Sequence, residues 1–144
     1  MRVSPIAFYA QSLEETLRLA TISAKVTHNH PEGIKGAKAI ASATYLARTG
    51  ATKTEIKAYV EANFKYNLNL QLDHIRSIVC DAMSCQKTVP AAIWAFLEGE
   101  DFEDVIRIAV SLGGDSDTIA AMAGSIAQAF YGLPQNLASY CYAL

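Results

Sequence analysis

The sequence predicts an all-α protein. Apolar residues recur at helical spacing from Leu13 to Phe130, and no stretch of useful length alternates with the period of two that a strand needs. Capping residues, glycines and prolines punctuate the chain at helix-sized intervals. The length of 144 residues suits one domain, 1–144, with a single modest core. Hydrophobic residues at 51% and charged residues at 18% describe a globular chain rather than a disordered one.

Each element follows from its own signals. Ser12-Leu-Glu-Glu15 is a capping-box sequence, with Leu13, Leu17 and Ala24 following at helical spacing. Thr27-His28-Asn29-His30 reads as a turn. Pro31 suits the first position of a second helix running to about Arg48, which Gly50 ends. Thr52-Lys-Thr-Glu55 starts a third, with Ile56, Tyr59, Val60 and Phe64 on one face. Asn63 to Leu70 is rich in Asn and reads as a loop. Asp73 to Cys80 fits a short helix or a turn. Thr88-Val-Pro90 opens a helix to about Leu97 that Gly99 closes, and Asp101 caps another to about Leu112. Leu137 to Leu144 is at most a short tail helix. No internal repeat and no low-complexity linker interrupts this order.

Between these lies the helix Ile119 to Tyr131, with Ile119, Met122, Ile126 and Phe130 at helical spacing and Gly132-Leu133-Pro134 as its stop. Ala120, Ala123, Gly124 and Ala127 form a stripe of small residues that lets another backbone approach. Such a helix belongs in the middle of a bundle.

The run Gly113-Gly114-Asp115-Ser116-Asp117-Thr118 leads into that helix. Two carboxylates and a hydroxyl within four residues make a hard-oxygen donor set suited to Mg²⁺ or a similar cation. Capping is the alternative use, since Asp at a helix start accepts backbone N–H bonds and sits in the positive end of the dipole. One cap needs only one Asp, however, and Gly113 and Gly114 give the backbone room for a ligand to come close.

Several classes are excluded. A net charge of −2, with no basic stretch interleaved with aromatics, gives no footprint for nucleic acid. No apolar run of about 18 residues supports a membrane span, and Ser4, Pro5, Gln11 and Ser12 interrupt any signal-peptide core. Cys80, Cys85 and Cys141, odd in number and without CxxC spacing, argue against a disulfide framework or zinc knuckle and for a reduced, cytoplasmic setting. His28 and His30 flank Asn29 with no Cys or third His at ligand spacing, so a zinc site is not indicated. Glu32 favours the N-terminus of the following helix, and His74 reads as a surface residue.

The residues also resemble a known family. SLGGDSDTIAAMAGSIAQAFYG (Ser111 to Gly132) looks like the C-terminal signature of the ADP-ribosylglycohydrolases. So do THNHPEGIKGA (Thr27 to Ala37) and VPAAIWAFL with the acidic EGEDFEDVIRIAV after it. The opening MRVSPIAF resembles an internal segment of the same family. Each motif is weak alone, but four in family order over nearly the whole chain are specific.

The resemblance implies a compact multi-helix bundle around a two-Mg²⁺ site. That site binds the ribose of ADP-ribose and helps water cleave its bond to a protein side chain or small acceptor. Asp115, Asp117 and Thr118 match the family's C-terminal metal ligands. The loop bearing His28 falls near the ligand pocket, with His28 either touching the ligand or stabilising its own turn, and Gly113, Gly114 and Ser116 are further substrate-binding candidates. The family's N-terminal part, with its glycine-rich motif and Thr/Ser-Asp-Asp cluster, has no matching segment here, so catalytic residues stay unassigned. Two Mg²⁺ ions bring four positive charges and the two Asp return two negative ones, so this half-set suits one loosely held hydrated ion better than two.

Two expectations follow: an ADP-ribosylglycohydrolase-type hydrolase or its C-terminal half, or a non-catalytic helical module that binds ADP-ribose-like ligands or a partner chain. In either case the chain is expected to pair with itself or with a missing N-terminal half through the face bearing Ala120, Ala123, Gly124 and Ala127.

Overall fold

Side-chain capping starts four of the helices. The computed structural model describes residues 1–80 and 84–142, and nine helices form among them: α1 (Ser4–Tyr9), α2 (Leu13–Lys25), α3 (Pro31–Arg48), α4 (Lys53–Phe64), α5 (Leu72–Cys80), α6 (Cys85–Glu98), α7 (Phe102–Ser111), α8 (Ser116–Tyr131) and α9 (Gln135–Tyr142). Ser12 accepts the Glu15 amide at 3.1 Å, but the Glu15 carboxylate reaches back to the Gln11 amide rather than to that of Ser12. Thr52 and Glu55 close a full capping box on α4. Asp101 accepts the Asp104 amide at 2.8 Å to start α7.

The expected boundaries shift at three places. α1 is a helix that the sequence reading did not assign, with Pro5 in its first turn, where a missing N–H costs nothing. α6 begins at Cys85, not Thr88, so Pro90 lies inside the helix. Its ring leaves the Gln86 carbonyl without a helical donor, and Gln86 is exposed, so water is at hand. α8 begins at Ser116 rather than Ile119, which puts Asp117 and Thr118 in its first turn.

The centre of the bundle is α3, α6 and α8, each packed on the other two. They bury Ile40, Ala41, Ala43 and Thr44 from α3, Ile93, Ala95 and Phe96 from α6, and Ile119, Ala123, Ile126 and Ala127 from α8. α1 and α2 cover one side of α3, α4 packs beside it, and α7 lies along α6 and α8. The Asn-rich loop after α4 is pinned down: the Glu61 carboxylate accepts from the Leu68 amide at 3.1 Å and from Asn69 at 2.9 Å, and the Trp94 indole donates to the Leu70 carbonyl at 3.1 Å.

The small-residue stripe is not an open face. Ala123, Gly124 and Ala127 are buried by the chain's own helices, and a Cβ on Gly124 would stand 2.8 Å from Ile106 Cδ1 of α7. Ala120, the fourth residue of the stripe, is half-buried; at the other three positions the close approach that small residues permit is used within the bundle, so they offer no open face for the pairing expected from sequence.

Among the described residues no helix is long and apolar enough to cross a membrane. Cys85 carries a free thiol; the side chains of Cys80 and Cys141 fall outside the description, as do residues 143 and 144 of the expected tail helix.

Candidate functional site

α7 passes into α8 through two glycines with positive φ, +77° at Gly113 and +60° at Gly114. Only glycine takes both positions without strain. At Gly114 space is also limiting, since a Cβ would lie 2.4 Å from the Val79 carbonyl oxygen at the end of α5.

Asp115 follows as the N-cap residue of α8, yet its side chain makes no capping bond. Its carboxylate is thus free of the use that usually explains an Asp there. The Asp117 carboxylate accepts the Thr118 amide at 2.7 Å. That bond, and next a hydrogen bond with the adjoining Asp115 side chain, hold the pKa of Asp117 below the usual carboxylate value. The two Asp side chains are therefore neighbours, Asp117 exposed and Asp115 half-buried.

Asp115 and Thr118 open onto a cavity of 760 Å³, large enough for a nucleotide-sized ligand. Its rim carries His28, His30 and Glu32 from the turn before α3 and the start of that helix; its walls include Val89 of α6 and Met122 of α8. Two of the seven sequence-predicted site residues besides His28 thus meet at the cavity, while Gly113, Gly114, Ser116 and Asp117 are not part of its lining. The glycines instead carry the turn that leads the chain into Asp115 and α8.

His28 is exposed, with Nδ1 at 2.9 Å from Thr27 Oγ1, and that hydroxyl also receives a hydrogen bond from the Arg2 guanidinium. His30 Nδ1 accepts the Glu32 amide at 3.2 Å and so caps α3. Glu32 sits in the first turn of α3, as expected, and its carboxylate meets Lys35 at 3.5 Å.

The sequence reading missed the far wall. Arg2, Gly36, Cys85 and Thr88 all line the cavity. Gly36 gives the one available signal, because a Cβ there would lie 3.1 Å from Val89 Cγ2 and narrow the cavity. Behind it the Tyr66 hydroxyl is buried with no hydrogen-bond partner among the described residues, and burial, then the Cys85 and Glu32 charges, push its ionisation well above the usual tyrosine value.

The donors at Asp115, Asp117 and Thr118 fit an oxygen-seeking cation such as Mg²⁺ in kind. In number they fall short, as no cluster of three or more His, Cys, Asp or Glu suited to a metal ion occurs among the described residues.

An all-α bundle whose central helix starts at a glycine loop bearing two carboxylates, on the edge of a nucleotide-sized cavity, defines the class. A family model described as ADP-ribosylglycohydrolase matches residues 1–141, and the chain belongs to that family. It is 29% identical over 139 residues to the ADP-ribosylarginine hydrolase Tri1 of Pseudomonas putida, covering 92% of this chain and 38% of that protein. It is 27% identical to human ADP-ribosylhydrolase ARH3, covering 94% of this chain and 50% of that one. A solved structure titled an ADP-ribosylglycohydrolase-related protein complex superimposes with a TM-score of 0.69 at 30% identity, over 90% of this chain and 47% of that chain. The chain thus spans half or less of the length of these relatives.

Proposed function

We propose that this chain provides the C-terminal wall and part of the cation site of an ADP-ribosylglycohydrolase, a hydrolase that releases ADP-ribose from a protein side chain or small acceptor. The observation that carries the reading is that Asp115 and Thr118 face the same cavity as His28 and His30.

In this reading Asp115, Asp117 and Thr118 hold Mg²⁺, with Ser116 and the glycine backbone close to the substrate. The bound cation would supply positive charge to orient the ribose hydroxyls and polarise an oxygen. The chain's own residues do the rest of what is assigned here. His28 offers a ring nitrogen to ligand oxygen, and Val89 and Met122 present apolar surface that keeps water from the inner wall. Two carboxylates do not balance two Mg²⁺, so the remaining ligands and the acid–base groups come from residues other than these. The cytoplasm, where free thiols persist, is the matching compartment.

The test is reconstitution. The 144-residue protein should release little ADP-ribose from ADP-ribosylated protein on its own and gain Mg²⁺-dependent turnover when mixed with the N-terminal half of a relative. Robust turnover by the chain alone would refute the division of the site.

A second reading is a non-catalytic module that binds ADP-ribose, for which the cavity lining suffices without a metal. Retained ADP-ribose affinity without turnover in any mixture would select it. Under either reading a second copy or other partner must dock elsewhere than on the buried Ala123, Gly124 and Ala127.

A further inference from the structure

Among the described residues, Arg2 is the only lysine or arginine in the cavity lining. Its guanidinium donates to the Thr27 hydroxyl, and among the described residues it makes no other hydrogen bond to the protein. Most of the fork's N–H donors are therefore uncommitted. No carboxylate stands within ion-pair reach of it either. The ion pairs formed among the described residues are Arg18–Glu15, Lys35–Glu32 and Arg107–Glu103, so the Glu32 carboxylate on the same rim is already taken.

Water now meets the exposed guanidinium. A ligand that fills the cavity displaces that water, and a charge shut away without a counter-charge is costly. The occupant must therefore bring negative charge to Arg2. A guanidinium fork matches an oxyanion two oxygens at a time, which is the geometry of a phosphate. Asp115 makes the opposite demand: its carboxylate caps nothing and forms no ion pair with Arg2, so the lining has separate stations for the two signs.

We propose that Arg2 anchors an anionic group of the ligand, a phosphate or diphosphate, and so sets which part of the ligand lies beside Thr27 and which reaches Asp115. With ADP-ribose as the ligand, the group is the diphosphate, and a ribose is left for Asp115. That assignment rests on the function proposed above; the anion site does not.

The experiment is calorimetric titration of the full chain with inorganic pyrophosphate, in Mg²⁺-free buffer at fixed ionic strength. Weak binding is expected. Arg2→Met should weaken it by about tenfold or more, the loss expected for a charge-assisted hydrogen bond. Arg2→Lys should weaken it less, since it keeps the charge but not the fork. Arg76→Met removes the same charge from outside the cavity lining and should bind as the parent does. Arg2 is exposed, so its variants should keep the parent's circular dichroism. No binding by the parent up to millimolar pyrophosphate overturns the proposal. So does equal affinity in Arg2→Met, or an equal loss in Arg76→Met. ADP-ribose should compete with pyrophosphate, and adenosine, which lacks a phosphate, far less. Pyrophosphate held through Arg2 but not displaced by ADP-ribose would leave the anion site standing and refute the ADP-ribose reading.

Discussion

Gly114 is pressed against Val79: a Cβ on the glycine would stand 2.4 Å from the Val79 carbonyl oxygen. The end of α5 therefore braces the loop that carries Asp115. Gly113 next to it has a similar positive φ but nothing among the described residues within 4 Å of its missing Cβ.

The pair separates strain from crowding. Gly113→Ala should cost about 1 kcal/mol, the price of a left-handed residue. Gly114→Ala adds a backbone clash and should cost about 2–4 kcal/mol. Thermal unfolding of both variants checks this; equal losses would show that α5 yields freely.

Gly124 tests the packing of α8 on α7. Gly124→Leu should destabilise by about 1–3 kcal/mol by overfilling the space held by Ile106. Adding Ile106→Ala should recover part of that loss, a coupling expected only for residues in contact. Additive effects in the double-mutant cycle would place the two apart.

Tyr66 predicts a pH dependence. Burial raises its ionisation above the usual value near 10, so the stability of the neutral form is complete below pH 10 and is lost as pH rises beyond it. Tyr66→Phe should therefore resist alkaline unfolding better than the parent. It also removes an orphan hydroxyl, which should leave the variant no less stable at pH 7 and up to about 1 kcal/mol more so. Fluorescence of Trp94, the single tryptophan, reports both transitions. A large loss of stability at pH 7 would show that the hydroxyl has a partner after all.

The sequence was most legible where chemistry is local. The capping box at Thr52 and Glu55, the proline at the head of α3 and the Asp101 cap each act within one turn, and each helix starts where its cap stands. Pro90 misled because a proline marks a first turn by preference, not by necessity, and an exposed Gln86 carbonyl tolerates it in the second turn. Spacing alone does not say what fills the room beside the small stripe of α8; at Gly124 it is the Ile106 side chain of α7 of the same chain. The same limit hid the cavity. Asp115, Thr118 and His28 stand out by residue type, whereas Cys85 and Val89 join them only through tertiary packing of α6 on α3 and α8, and Arg2 only through packing of the N-terminal segment.

The central claim is that Asp115, Asp117 and Thr118 form part of a cation site. Calorimetric titration of the chain with Mg²⁺ tests it most directly. Weak binding is expected, lost in Asp117→Ala and in Asp115→Ala, with both variants still folded by circular dichroism. Mg²⁺ binding of equal strength in those variants would contradict it.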